Sequence, residues 1–277
     1  MDRKIIVCAT DLPVITGHNT YKSKDEIILK YWKRHFKADY LDSIEKMKED
    51  KVELKREETY IQTVKRIATE HNITIDKNLS ACFKSDNITH LNKSKEKVFD
   101  SLSKLSESQK KEFKDSFNSL TNTNFGIKYE NKGGELYEKM TGNKIIKTNE
   151  FYKSDLFIIP NEYEKTDYWI IGGKLDGLLL PENTIIEIKN RVNRLFYKLR
   201  DYEKVQCYTY MYLLNSFNTE LIEVLKKKED NSINIIKVPF ETDFWENEIL
   251  AKLEEFINEF YDFLESPLKK MNLLKLE

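Results

Sequence analysis

Residues 167–189 read DYWIIGGKLDGLLLPENTIIEIK, and this stretch decides the fold. Two apolar runs, DYWIIGGKLDGLLL (167–180) and TIIEIK (184–189), flank Pro181-Glu182-Asn183, which reads as a turn between strands. Side chains alternate faces along a strand, so Glu187 and Lys189 point the same way while Ile188 points into the core. Asp176 ends the preceding strand, and the turn folds it back beside Glu187. Two carboxylates converging at a strand end make an oxygen-rich pocket suited to Mg²⁺ or Mn²⁺. Lys189 adds an ammonium that can hold or help deprotonate a water and offset phosphate charge. A metal that polarises a phosphoryl oxygen and generates hydroxide is suited to phosphodiester hydrolysis. The plain alternative is a surface hairpin with one ordinary ion pair, because strings of the form D-x10-ExK are common.

The neighbours favour the chemical reading. Gly172-Gly173 and Gly177 bracket Asp176 and thin the backbone where a bulky polymer would approach. Gln206 and Tyr210 lie four apart on the following helix, one turn, and reach the site together. Residues 189–204 hold six basic side chains, Arg191, Arg194 and Lys198 among them, against Asp201 and Glu203, with Phe196 and Tyr197 interleaved. A basic stretch with aromatics beside a metal site suits a strand of nucleic acid.

Working outward, FGIKYENKGGELYEKMTG (125–142) reads as a helix capped by Gly142, followed by a β-like run at DLFIIP (155–160). Gly133-Gly134 in mid-helix cost about 1 kcal/mol each relative to Ala, which predicts a late start or a bend. YEKVQCYTYMYLLN (202–215) is helical and SINIIKVPF (232–240) is a further strand. Trp245, Ile249, Leu253, Phe256, Phe260 and Phe263 mark a long amphipathic helix whose acidic flank faces away from any polyanion. Near the start, Ile27, Ile28, Tyr31, Trp32 and Phe36 recur at helical spacing, and residues 40–120 are the most polar part, with apolar residues at helical periods. The order is that of an α/β core with a helical addition.

Composition removes other classes. The 277 residues are 40% hydrophobic and 34% charged, with a formal net charge of −1, so neither disorder nor a globally basic coat fits. Cys8, Cys82 and Cys207 lack CxxC spacing, which argues against a disulfide scaffold, zinc or an iron–sulfur cluster. No apolar stretch approaches a membrane span, and MDRKIIVCATDLP lacks the apolar core of a signal peptide, so the chain reads as intracellular, neither secreted nor membrane-inserted.

GGKLDG…IIEIKN followed by QCYTY resembles the PD-(D/E)xK nuclease core with the Q-x-x-x-Y helix of its exonuclease branch. FGIKYENKGGELYEKMTG resembles the acidic-helix motif of the phage lambda exonuclease and YqaJ-like viral recombinase family, and ATDLPVITGHNTYKS is similar to that family's N-terminal loop. The resemblance implies a mixed central sheet flanked by helices with a helical N-terminal addition. The chain divides into an N-terminal loop and helix (1–39), a charged helical insertion or subdomain (40–122) and a catalytic core with C-terminal helix (123–277). Leu175 stands where the family usually has a proline, and Asp167 is the nearest match to a further aspartate seen in some members.

The resemblance also implies roles. Asp176 and Glu187 would hold Mg²⁺, replaceable by Mn²⁺, with the Ile188 carbonyl as a further ligand and Glu130 assisting. Lys189 would position the attacking water, with Gln206 and Tyr210 orienting Lys189 or the substrate backbone. Thr10, Asn19, Tyr21, Lys22, Ser23 and Lys24 would engage a DNA end, and Arg191, Arg194 and Lys198 the strand. The implied activity is 5′→3′ resection of duplex DNA for recombination or repair, in a bacterial or virus-infected cell. A single-strand annealing protein and a homo-oligomer are the implied partners. A restriction-type or structure-specific endonuclease, or a DNA-binding scaffold on a decayed nuclease, are the competing readings.

Overall fold

The computed structural model describes residues 2–55, 58–160, 166–226 and 231–276. Among these residues, seven strands form two mixed sheets. In the first, β1 (Arg3–Cys8) pairs in parallel with β3 (Thr166–Lys174), and β2 (Phe151–Pro160) runs antiparallel along the other edge of β3. In the second, the order is β4 (Gly177–Leu179), β5 (Thr184–Arg191), β6 (Asn218–Lys226) and β7 (Asn231–Pro239). Only the β5–β6 pair there is parallel. The run read from sequence as one strand, 167–180, is therefore two strands in different sheets. The break falls at Leu175-Asp176, where Leu175 turns into the core and Asp176 accepts a hydrogen bond from the Ile188 N–H at 2.6 Å.

Helices surround both sheets. The N-terminal part carries α1 (Leu12–Ile15), α2 (Lys24–His35) and α3 (Lys37–Glu49); α4 (Tyr60–Glu70), α5 (Asp76–Lys84) and α6 (Ile88–Phe99) follow. A 3₁₀ turn at Asp100–Leu102 leads to α7 (Glu107–Thr141), and α8 (Asp201–Leu214) lies between β5 and β6 in sequence. After β7, α9 (Thr242–Phe244) passes through a π-helical stretch, Trp245–Leu250, into α10 (Ala251–Glu265), and α11 (Pro267–Leu274) closes the chain. All six residues of the predicted C-terminal stripe, from Trp245 to Phe263, are buried. Among the described residues no helix is long and apolar enough to cross a membrane.

Helix α7 ties the parts together. Ser106 and Gln109 form a capping box at its start, and Gly142, with φ at +76°, ends it. Its N-terminal half packs Phe113 and Phe117 against Val64, Ile67 and Leu91 of the preceding helices; its C-terminal half packs Tyr137 against Ile186, Ile188 and Ile222 of the second sheet. The helix runs unbroken through Gly133-Gly134, contrary to the bend that the sequence predicts. A Cβ on Gly133 would stand 2.7 Å from Ile188 Cγ2 and 3.3 Å from Val224 Cγ2. The glycines are where the helix presses directly on β5, and the contact offsets their low helix propensity. The largest core lies on the other side, where Trp32, Trp169, Phe256 and Phe260 pack α2 and α10 on the first sheet.

Candidate active site

Strand β5 has two faces with different tasks. Ile186 and Ile188 pack toward α7, as the alternation requires. Glu187, Lys189 and Arg191 occupy the opposite face, where they meet α8 through Gln206 and Glu203. Parallel pairing sets Lys189 beside Glu223 of β6 and, two residues on, Arg191 beside Leu225.

The pairing of Gly177 with Ile186 brings Asp176 alongside Glu187, as the hairpin reading predicts. Burial and the charge of Glu187 push the Asp176 carboxyl up to about 8. The Ile188 N–H works against that rise, and Glu130 on α7 adds to it. Glu187 is buried; its Oε1 accepts from Lys189 Nζ at 2.6 Å, while its Oε2 has no hydrogen-bond partner among the described residues. A buried carboxylate oxygen without a partner, beside an acid that burial and a second carboxylate push up, is a donor set that fits a hard divalent cation. Glu130 acts on Asp176 through its charge. Among the described residues no three His, Cys, Asp or Glu side chains gather closely enough to hold a metal ion, so Asp176 and Glu187 would need backbone oxygen or water to complete a coordination shell.

A chain of side chains leads away from the pair. Lys189 donates to Glu187 and, at 2.8 Å, to Gln206 Oε1; Gln206 Nε2 then donates to Tyr210 OH at 2.9 Å. An ammonium is only a donor, so it fixes the Gln206 amide with its oxygen toward Lys189. Burial disfavours the charged lysine, but Glu187, with Glu203 and Asp176 behind it, holds the ammonium above the ordinary lysine range. Burial first, then Glu187, keeps the Tyr210 phenol protonated. Two of the three Lys189 N–H groups are thus committed, to Glu187 and Gln206.

The glycines beside Asp176 serve packing rather than polymer approach. A Cβ on Gly173 would lie 2.6 Å from Tyr210 Cε1 and 3.0 Å from Ala9 Cβ, one on Gly172 would lie 2.5 Å from Phe151 Cε1, and one on Gly177 would collide with Ile145. The Ala9 N–H donates to the Gly172 carbonyl at 2.8 Å, which sets the start of the N-terminal loop against β3. Asp167 stands at the opposite end of β3, bound to Arg3 at 3.1 Å and Tyr261 at 2.7 Å, and takes no part in the site.

The residues expected to touch nucleic acid divide. Thr10, Tyr21, Lys22, Arg194 and Lys198 are exposed. Ser23 caps α2 by accepting from the Asp25 N–H, Asn19 accepts from the Tyr21 N–H, and Lys24 pairs with Glu259 at 3.1 Å, so these three shape or tether the loop. Arg191 corrects the reading outright. It is buried; its guanidinium donates to both oxygens of Glu203 (2.6 and 3.0 Å) and to Glu223 (2.8 Å), which leaves it closed to DNA. Sequence reasoning missed this network. Its signal was a lone acid, Glu223, inside the apolar run LIEVL.

Residues 77–215, about half of the chain, match the family model of the YqaJ-like viral recombinase domain. The match contains Glu130, Asp176, Glu187, Lys189, Gln206 and Tyr210, and it begins within helices that the motif reading left unaligned. No curated protein shows a significant match. Among solved structures, the alkaline exonuclease LHK-Exo from Laribacter hongkongensis is 14% identical, covering 70% of this chain and 91% of that one, with a TM-score of 0.36. A phage-related exonuclease from Haemophilus somnus 129PT is 15% identical, covering 54% and 73%, also with a TM-score of 0.36. The extent of the family match and the αββββαββ order around the Asp176–Glu187 pair lead to one assignment: this chain belongs to the YqaJ-like viral recombinase domain family.

Proposed function

We propose that the protein is a divalent-metal-dependent DNA exonuclease that shortens duplex ends from the 5′ side. The observation that carries this reading is the pair of half-buried Asp176 and buried Glu187, with Lys189 hydrogen-bonded between Glu187 and Gln206. Asp176, Glu187 and the Ile188 carbonyl would hold Mg²⁺, or Mn²⁺ in its place, with Glu130 assisting from α7. Bound there, the cation would polarise the scissile phosphate and acidify a water. Lys189, kept protonated beside Glu187, donates its remaining N–H to the attacking water or to a phosphate oxygen. Gln206 fixes the direction of that ammonium, and Tyr210 fixes Gln206.

The water oxygen attacks phosphorus and the P–O3′ bond breaks. One water proton ends on the departing 3′ oxygen and the other is released, leaving 5′-phosphate and 3′-hydroxyl ends. Family membership supports a recombination role, in which resection exposes single strands for an annealing protein, and it supports a homo-oligomer around the duplex.

End-labelled linear duplex and covalently closed duplex, each digested with Mg²⁺ and with EDTA, test the reading. Mononucleotide release from the 5′ end of the linear duplex alone, abolished by EDTA, is the expected result. Equal cutting of closed circles would overturn the exonuclease and favour the endonuclease, and no metal-dependent cutting of either would leave only a DNA-binding scaffold.

A further inference from the structure

The segment that follows β5, residues 192–200, is held in place by one buried acid. Glu223, the register neighbour of Lys189, is fully buried. Its carboxylate accepts from the Phe196 N–H at 3.1 Å, the Tyr197 N–H at 2.9 Å, the Asn234 amide at 2.9 Å and Arg191. This clamp sets Tyr197 at φ +57°, a left-handed conformation that a bulky residue rarely adopts. The consequence is an aromatic side chain turned outward, 71% exposed, instead of one folded into the core. Beneath it the Phe196 ring is faced by the guanidinium groups of Arg191 at 4.7 Å, Arg200 at 4.4 Å and Arg194 at 5.8 Å. Arg194 and Lys198, on either side of Tyr197, are exposed. Arg200 also donates to Tyr21 OH at 2.7 Å, which joins the segment to the N-terminal loop.

A single exposed aromatic calls for no explanation. Here four observations coincide: a conformation over-determined by a buried carboxylate, a ring presented to solvent, cations on both flanks, and an anchor beside Lys189 in the same sheet. A flat ring offers a π-face to any base, while flanking cations follow the phosphates. We propose that Tyr197 is a base-stacking platform for single-stranded nucleic acid next to the active site, kept rigid by Glu223. The inference rests on the nuclease reading and adds to it a specific contact for the strand that has left the duplex.

The test compares fluorescein-labelled oligo(dT) with an abasic oligonucleotide of the same length, both bound in EDTA so that nothing is cleaved. Wild-type protein should prefer oligo(dT). Tyr197→Ala should lose about tenfold in affinity for oligo(dT), within the range of one stacked base, while its abasic affinity and salt slope stay unchanged. Tyr197→Trp should keep the affinity, and oligo(dT) but not the abasic strand should quench its added fluorescence. Tyr197→Asn, a residue that tolerates the left-handed region, should match the Ala variant and retain the wild-type Tm, which separates lost stacking from damaged folding. Wild-type affinity in both the Ala and Asn variants, or equal losses for both oligonucleotides, would overturn the platform while leaving the nuclease intact. A wild-type protein that binds neither strand and cuts no DNA with Mg²⁺ would remove the nuclease reading and the platform together.

Discussion

Arg191 provides the sharpest trial of how the site is built. Arg191→Met keeps much of the side-chain volume and removes the guanidinium. Two carboxylates with no solvent exposure, Glu203 and Glu223, then lose three charge-assisted hydrogen bonds of 2.6–3.0 Å. Glu223 keeps its bonds from Phe196, Tyr197 and Asn234, whereas Glu203 loses its bidentate partner. Removing one member of a buried ion cluster costs about 3–5 kcal/mol, because the charge left behind is uncompensated. For a chain of this size that corresponds to a Tm lower by on the order of 10 °C. The pH dependence supplies a second reading. Burial pushes the Glu223 carboxyl up, but its backbone donors, Asn234 and Arg191 together hold it below the ordinary range. In the wild type its stability contribution is therefore present above the unfolded carboxylate range and is lost as pH falls through the lowered value. Without Arg191 the Glu223 carboxyl loses one of the groups that hold it low, so the variant's deficit relative to wild type should shrink as pH falls through the carboxylate range. Urea unfolding at pH 5 and pH 8 measures both effects. If Arg191→Met unfolds within about 1 kcal/mol of wild type at pH 8 and instead weakens DNA binding with a shallower salt slope, the arginine is a phosphate contact and the buried network is wrong.

Three other perturbations probe the candidate catalytic groups and their support. Burial and Glu187 hold the Asp176 carboxyl near 8, so ionising it works against the metal-free fold as pH rises from about 4 to 8; Asp176→Asn should flatten that decline in EDTA and abolish Mg²⁺-dependent cutting, and an unchanged Tm-versus-pH profile would count against the coupled pair. Lys189→Met should slow single-turnover cleavage by on the order of a hundredfold or more with DNA affinity little changed. Lys189→Arg should not restore it, because a planar fork does not replace a compact ammonium; a raised Kd with an unaltered rate would make Lys189 a phosphate contact only. Gly133→Val should destabilise by about 1–3 kcal/mol through overpacking against Ile188 and Val224, and wild-type urea stability would show that α7 does not press on β5 as described.

Much of the site was legible because strand periodicity and turn chemistry are local. Glu187 and Lys189 share a face by alternation, Pro181-Glu182-Asn183 returns the chain, and Gln206 and Tyr210 share a helix face by their spacing. Those rules bring Asp176, Glu187, Lys189, Gln206 and Tyr210 together as found. The C-terminal stripe and the Gly142 cap were legible for the same reason. Glu130 was not, because its place depends on where a 35-residue helix crosses a sheet, and no local rule supplies that.

The misreadings share a physical origin: composition does not say which surface a residue meets. Glycines around Asp176 looked like room for substrate, yet Phe151, Tyr210 and Ile145 fill that room. Gly133-Gly134 looked like a weak point in a helix, yet they form its closest contact with β5. Arg191 looked like part of a basic stripe, yet alternation along β5 already placed it on the inner face with Glu187 and Lys189. Applied two residues further, the rule that placed Glu187 and Lys189 on one face would have buried Arg191 and demanded acids to meet it. A charge on the inward phase of a buried strand is structural until a partner is shown to be missing, and here Glu203 and Glu223 complete it. By the same reasoning the exposed cations of this basic stretch lie past the end of β5, where alternation stops: Arg194 and Lys198, on either side of Tyr197.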